Sequence, residues 1–127
     1  WLMLQQNKPK DYVIASGEQF SVRQFIIWAA RYLGLELEFS GKGVDEVARV
    51  KKVIGSLASK ELVGKIIMRI DKRYFRPAEV ETLLGDATEA KKDLGWLPKI
   101  SVEELCEEMV REDYTDVKRR LMTNTII

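Results

Sequence analysis

Behind Gly34, the run Leu35-Glu36-Leu37-Glu38-Phe39 alternates apolar and charged residues without a break, a period of two that fits a half-exposed strand. In front of Gly34 the period changes. Val22, Phe25, Ile26, Ala29, Ala30 and Leu33 recur at helical spacing after Ser21, whose hydroxyl can accept the backbone N–H three residues on while Gln24 reaches back. A helix, a glycine stop and a strand in succession predict a mixed α/β fold.

The chain has 127 residues, 46% hydrophobic and 32% charged, enough for one small core and too polar for a membrane protein. No apolar run approaches the roughly 20 residues of a spanning helix. The opening Trp1-Leu2-Met3-Leu4-Gln5-Gln6-Asn7 lacks the basic flank and cleavage site of a signal peptide, so a cytoplasmic protein is expected. The formal net charge is +1, and only Lys118-Arg119-Arg120 clusters basic residues. That triplet reads as a solvated helix end, and neither a nucleic-acid nor a membrane partner is expected. There is no histidine and one cysteine, which removes the usual zinc ligand sets and the commonest general base. Cys106 stands among apolar residues at helical spacing and reads as core.

Trp1 to Gln6 read as the last turns of a helix whose beginning is missing, and Tyr12-Val13-Ile14-Ala15 as a buried strand before the turn at Ser16-Gly17. From Val44 to Gly64 valine spacing fits a helix and valine content fits strands equally, with a flexible loop expected between. Lys65 to Ile70 is a further expected strand. Asp86 or Thr88 caps a short helix through Leu94, closed by Gly95, and Trp96-Leu97-Pro98 ends it. Ser101-Val102-Glu103-Glu104 is a second capping box, opening a helix with Val102, Leu105, Cys106, Met109 and Val110 on one stripe and reaching to about Leu121. No repeat, low-complexity stretch or Pro/Gly-rich linker divides the chain, and one compact unit is expected.

Arg76-Pro77-Ala78-Glu79 sets a guanidinium and a carboxylate three residues apart around a fixed proline. Facing one site, Arg76 could grip a diphosphate with a planar fork of donors, and Glu79 could accept from a ribose hydroxyl. An i, i+3 ion pair on the first turn of a helix is the simpler reading of the spacing alone. Two other patterns read as coincidences. Tyr114-Thr115-Asp116-Val117-Lys118 has the Tyr-x-x-x-Lys spacing of a catalytic pair but sits late in the last helix, and Gly41-Lys42-Gly43 meets Glu46 where a dinucleotide loop needs a third glycine.

The run Arg73-Tyr74-Phe75-Arg76-Pro77-Ala78-Glu79-Val80-Glu81, followed by Leu83-Leu84-Gly85-Asp86, Leu94-Gly95-Trp96-Leu97-Pro98 and Glu103-Glu104-Leu105, resembles the carboxy-terminal third of GDP-mannose 4,6-dehydratases. Trp1 to Gln6, Tyr12 to Gln19 and Ser21-Val22-Arg23 match the same family in the same order, and Asp45 to Leu62 match least. The Leu-Gly-Trp-x-Pro element is similar across extended short-chain dehydrogenase/reductases; the run around Arg76 is more specific.

The resemblance implies that residues 1–127 are the carboxy-terminal sugar-nucleotide-binding part of an NAD(P)-binding Rossmann-type enzyme, whose amino-terminal cofactor domain is absent from this sequence. It implies that Arg76 and Glu79 contact the GDP of GDP-mannose, that Arg73 and Tyr74 shape their loop, and that Trp96 is core. It further implies that NADP and the catalytic threonine or serine, glutamate, tyrosine and lysine belong to the missing domain, leaving no catalytic, cofactor-binding or metal-ligating residue here. The intact enzyme is expected to oxidise C4 of the mannose, expel the C6 hydroxyl as water and return the hydride, as a homo-oligomer. This chain alone is expected to be inactive. Another nucleotide-sugar epimerase or dehydratase, or a stand-alone binding module, is the alternative.

Overall fold

A computed structural model describes residues 1–76 and 82–124. Elements follow in the order α1 (Val22–Tyr32), β1 (Leu35–Ser40), β2 (Val47–Val53), β3 (Ile66–Arg69), α2 (Thr88–Leu94) and α3 (Val102–Asn124), with 3-10 turns at Leu2–Gln5, Gly43–Asp45, Lys60–Leu62 and Lys72–Tyr74. The mixed α/β expectation holds. In place of one compact unit there are two: Trp1–Phe20 with Val80–Val102, and Ser21–Glu79 with Glu103–Ile127.

The second unit carries a three-stranded antiparallel sheet in the order β1-β2-β3. α1 begins where the capping box places it, with the Ser21 hydroxyl accepting from the Gln24 N–H at 3.1 Å. The alternation of β1 sends Leu35, Leu37 and Phe39 to the more covered face and leaves Glu36, Glu38 and Ser40 exposed. Leu37 pairs with Val50 and Glu38 with Arg49 across the ladder. The stretch left open between helix and strand is resolved in favour of β2, because its alternate residues Ala48 and Val50 are buried. Ala30, Leu35 and Val50 form the core, with Leu33, Leu37, Val53, Ala58 and Leu62 packed against it.

Gly34 makes the corner between α1 and β1 possible. Its φ is +74°, and a Cβ there would stand 1.9 Å from the Ile54 carbonyl oxygen, so only glycine fits. The Ile54 N–H donates back to the Gly34 carbonyl at 2.6 Å. α3 joins this unit through Glu103, which pairs with Arg31, and through the fully buried Cys106, whose thiol donates to the Phe25 carbonyl at 3.6 Å. The Tyr114 hydroxyl donates to the Leu57 carbonyl at 3.3 Å.

In the first unit, α2 has Ala87 at its N-cap; Asp86, one residue earlier, accepts from the Thr88 N–H at 2.9 Å and hydroxyl at 2.5 Å, and the helix closes at Gly95 with φ +64°. The Lys10 ammonium donates to Glu89 and, at 2.7 Å, to Asp93, and the Tyr12 hydroxyl donates to Asp93 at 3.4 Å. These bonds tie the opening segment to α2.

Two expectations need correction. The opening residues form a four-residue 3-10 turn rather than the end of an α-helix. Tyr12 to Ala15 lies in no β-ladder, and Val13 and Ile14 remain about half exposed. A β-branched run becomes a strand only beside a partner, and none is present among the described residues.

Candidate functional site

β3 delivers the chain to Asp71, and a single 3-10 turn, Lys72–Tyr74, then carries it to Arg76. One Asp71 oxygen caps this turn by accepting the Arg73 N–H at 3.0 Å. The same carboxylate grips the Arg73 side chain: Nε donates at 3.0 and 3.2 Å to its two oxygens, and Nη2 donates at 2.6 Å to one of them. The Arg73 side-chain donors, and then its backbone N–H, hold the Asp71 carboxyl below the usual carboxylate range. The Arg73 guanidinium lies 5.5 Å from the centre of the Tyr74 ring, a cation–π geometry.

Arg76 is exposed, and its guanidinium is engaged by no hydrogen bond, ion pair or ring among the described residues. Of the two residues singled out by sequence, only Arg76 can be placed. Glu79 lies outside the described residues, and so does any pairing between them. The Asp71 clamp escaped the sequence reading; its signal is an aspartate two residues before an arginine, the spacing of a side chain that bonds a backbone N–H two positions on.

A concave surface of about 480 Å³ lies within the first unit, lined by Ser16, Gly17, Asp86, Thr88, Lys91 and Trp96 among others. The Thr88 hydroxyl and N–H hold Asp86 below the usual carboxylate range. Trp96 is half-buried and lines this cleft, so its indole is only partly given to packing.

The two coincidental patterns are occupied structurally. The Tyr114 hydroxyl is bonded to Leu57. Gly41-Lys42-Gly43 joins antiparallel strands through a 3-10 turn, and Glu46 is clamped by Arg23, whose Nε and Nη2 donate to its two oxygens at 2.8 Å each. A dinucleotide loop needs a strand, a glycine turn and a helix N-terminus, so these residues do not fit NADP. Burial pushes the Cys106 thiol up, as suits a core residue. No group of three His, Cys, Asp or Glu side chains among the described residues could hold a metal ion.

The profile of the family described as GDP-mannose 4,6 dehydratase matches residues 1–109. A protein of Yersinia enterocolitica named GDP-mannose 4,6-dehydratase is 52% identical over 122 residues, covering 96% of this chain and 33% of that protein. A Vibrio cholerae protein of the same name is 60% identical over 113 residues, covering 89% of this chain and 30% of its own length. A human protein, GDP-mannose 4,6 dehydratase, is 41% identical over 113 residues, covering 89% of this chain and 28% of its own length. The chain thus spans about a third of the length of the curated relatives it matches.

Proposed function

The chain belongs to the GDP-mannose 4,6-dehydratase family, and from that membership we propose that it forms the carboxy-terminal, sugar-nucleotide-binding part of an enzyme that eliminates water from GDP-mannose to give GDP-4-keto-6-deoxymannose. The observation that carries the reading is Arg76: an exposed guanidinium, unengaged among the described residues, just after a turn whose own arginine is already neutralised. In this reading Arg76 donates to the diphosphate with its planar fork, and Glu79 accepts from the ribose.

NADP supplies the oxidation and reduction in such an enzyme, and in the proposal it is held by an amino-terminal Rossmann-type domain of the extended short-chain dehydrogenase/reductase kind. The contribution of this chain is binding and orientation, which lowers the barrier by fixing the sugar before chemistry begins. Exposed apolar residues of the first unit, Trp1, Leu4, Val13 and Ile14, support a larger assembly in which that domain covers them. The proposal includes a cytoplasmic, homo-oligomeric enzyme. No described helix is long and apolar enough to cross a membrane.

The test is made on the complete enzyme carrying this chain. Arg76→Ala should weaken GDP-mannose binding by roughly 1.5 to 3 kcal/mol, the scale of a hydrogen bond to a charged group, while NADP affinity stays unchanged. Arg76→Lys should be poorly tolerated, because an ammonium cannot reproduce the fork. Unchanged GDP-mannose affinity in Arg76→Ala would remove Arg76 from the site.

A further inference from the structure

Arg73 and Arg76 sit three positions apart, yet among the described residues Arg73 is clamped and Arg76 is not. The clamp has little to do with stability. The Arg73 side chain is 77% exposed and the Asp71 side chain 43% exposed, and ion pairs so wet contribute little to folding. What the pair does change is charge. Asp71 cancels the charge of Arg73, three positions before Arg76, and its ion pair, with the Tyr74 ring beside it, holds that cation in one place.

The inference rests on the reading of Arg76 as a diphosphate ligand. We propose that Asp71 is a specificity-determining residue, which neutralises Arg73 so that the site suits an esterified diphosphate and gains nothing from the extra charge of a free nucleotide. In a sugar nucleotide both phosphates are esterified and each carries a single charge. In a free nucleoside diphosphate the terminal phosphate carries no ester, only the anhydride bridge, and titrates to nearly two charges at neutral pH. Three residues span at most about 10 Å even when fully extended, and Arg73 and Tyr74 lie in a 3-10 turn, so an uncancelled Arg73 is close enough to feel that added charge. At this separation the interaction corresponds to about a twofold change in affinity in water and about fifteenfold where the effective dielectric constant is near 20. With Asp71 in place the added charge meets a neutral pair, and the sugar nucleotide competes on its own contacts.

The experiment uses the complete enzyme carrying this chain and compares the KM for GDP-mannose with the inhibition constant of GDP in wild type, Asp71→Asn, Arg73→Gln, the double variant and Arg76→Ala. Asparagine keeps an oxygen that can cap the Arg73 N–H and removes only the charge. Asp71→Asn should tighten GDP relative to GDP-mannose by about twofold to fifteenfold. The double variant should return the ratio to the wild-type value, which a merely structural role for Asp71 would not do. A ratio unmoved by Asp71→Asn, while Arg76→Ala weakens both ligands, overturns the proposal and leaves Arg76 in its site. Should Arg76→Ala leave GDP-mannose affinity intact, the reading of Arg76 and this proposal fall together.

Discussion

Gly85 backs directly onto Ala15: a Cβ at position 85 would stand 2.5 Å from the Ala15 Cβ and 3.3 Å from Val13 Cγ1. That Val13 and Ala15 both turn toward Gly85 gives Tyr12 to Ala15 the side-chain alternation of a strand, even without a ladder. Gly85→Ala should therefore destabilise the chain by about 1 to 3 kcal/mol, the usual cost of forcing extra atoms into a filled contact. Urea unfolding followed by tryptophan fluorescence measures it; an unchanged midpoint would mean the two segments can separate freely.

The Asp93 carboxyl is held below the usual range chiefly by the Lys10 ammonium, whereas Asp86 is held down by the Thr88 hydroxyl and N–H. Both contributions are present above the ordinary aspartate value of about 3.9 and are lost as pH falls through the folded-state values. Lys10 is raised by the same pairing, so its share is present below the ordinary lysine value of about 10.4 and lost as pH rises through the folded-state value. In an NMR titration, Lys10→Met should return Asp93 toward ordinary titration and leave Asp86 where it is. Equal movement of both carboxyls would contradict this division of causes.

Cys106 is fully buried, and burial raises its thiol pKa, so the reactive thiolate is both scarce and shielded. Labelling by an aromatic disulfide at pH 8 should be slow in the folded chain and fast in denaturant, with a rate that tracks opening of the α1 and α3 contact. Rapid labelling without denaturant would show that α3 leaves its seat readily.

Val13 and Ile14 make no backbone–backbone hydrogen bond among the described residues, and both are about half exposed. Their amides should exchange rapidly in the 127-residue chain, and light scattering should show association that grows with concentration, because an apolar unpaired edge is a template for another chain. Ile14→Lys should suppress the association. Slow exchange with a monomer at high micromolar concentration would show that the segment finds a partner within its own chain.

Local signals were legible wherever the residues responsible lie close in sequence. The Ser21 cap, the Gly34 stop, the alternation of Leu35 to Phe39 and the Gly95 closure each depend on neighbours within a turn. β2 was not separable from a helix because valine spacing satisfies both, and only pairing with β1 and β3 decides. Tyr12 to Ala15 misled for the reverse reason, carrying strand chemistry without a neighbour. The division into two units left no mark because its crossings, after Phe20, near Glu79 and after Val102, carry no Gly- or Pro-rich linker. At the candidate site the motif singled out Arg76, whose role stays a proposal, whereas the neutralisation of Arg73 became visible only with Asp71 folded back over its turn.

The first unit is discontinuous: Trp1–Phe20 and Val80–Val102 meet only across the whole of Ser21–Glu79. Loop closure sets an order on folding, since contacts between distant segments repay their entropy last. The Gly34 to Ile54 junction lies within one continuous stretch and can form early, together with the hairpins of the sheet. The contacts of Lys10 with α2 close a far longer stretch of chain and carry the larger closure entropy. A ribosome making this chain has therefore already released the sheet-forming stretch before the first unit has both of its halves.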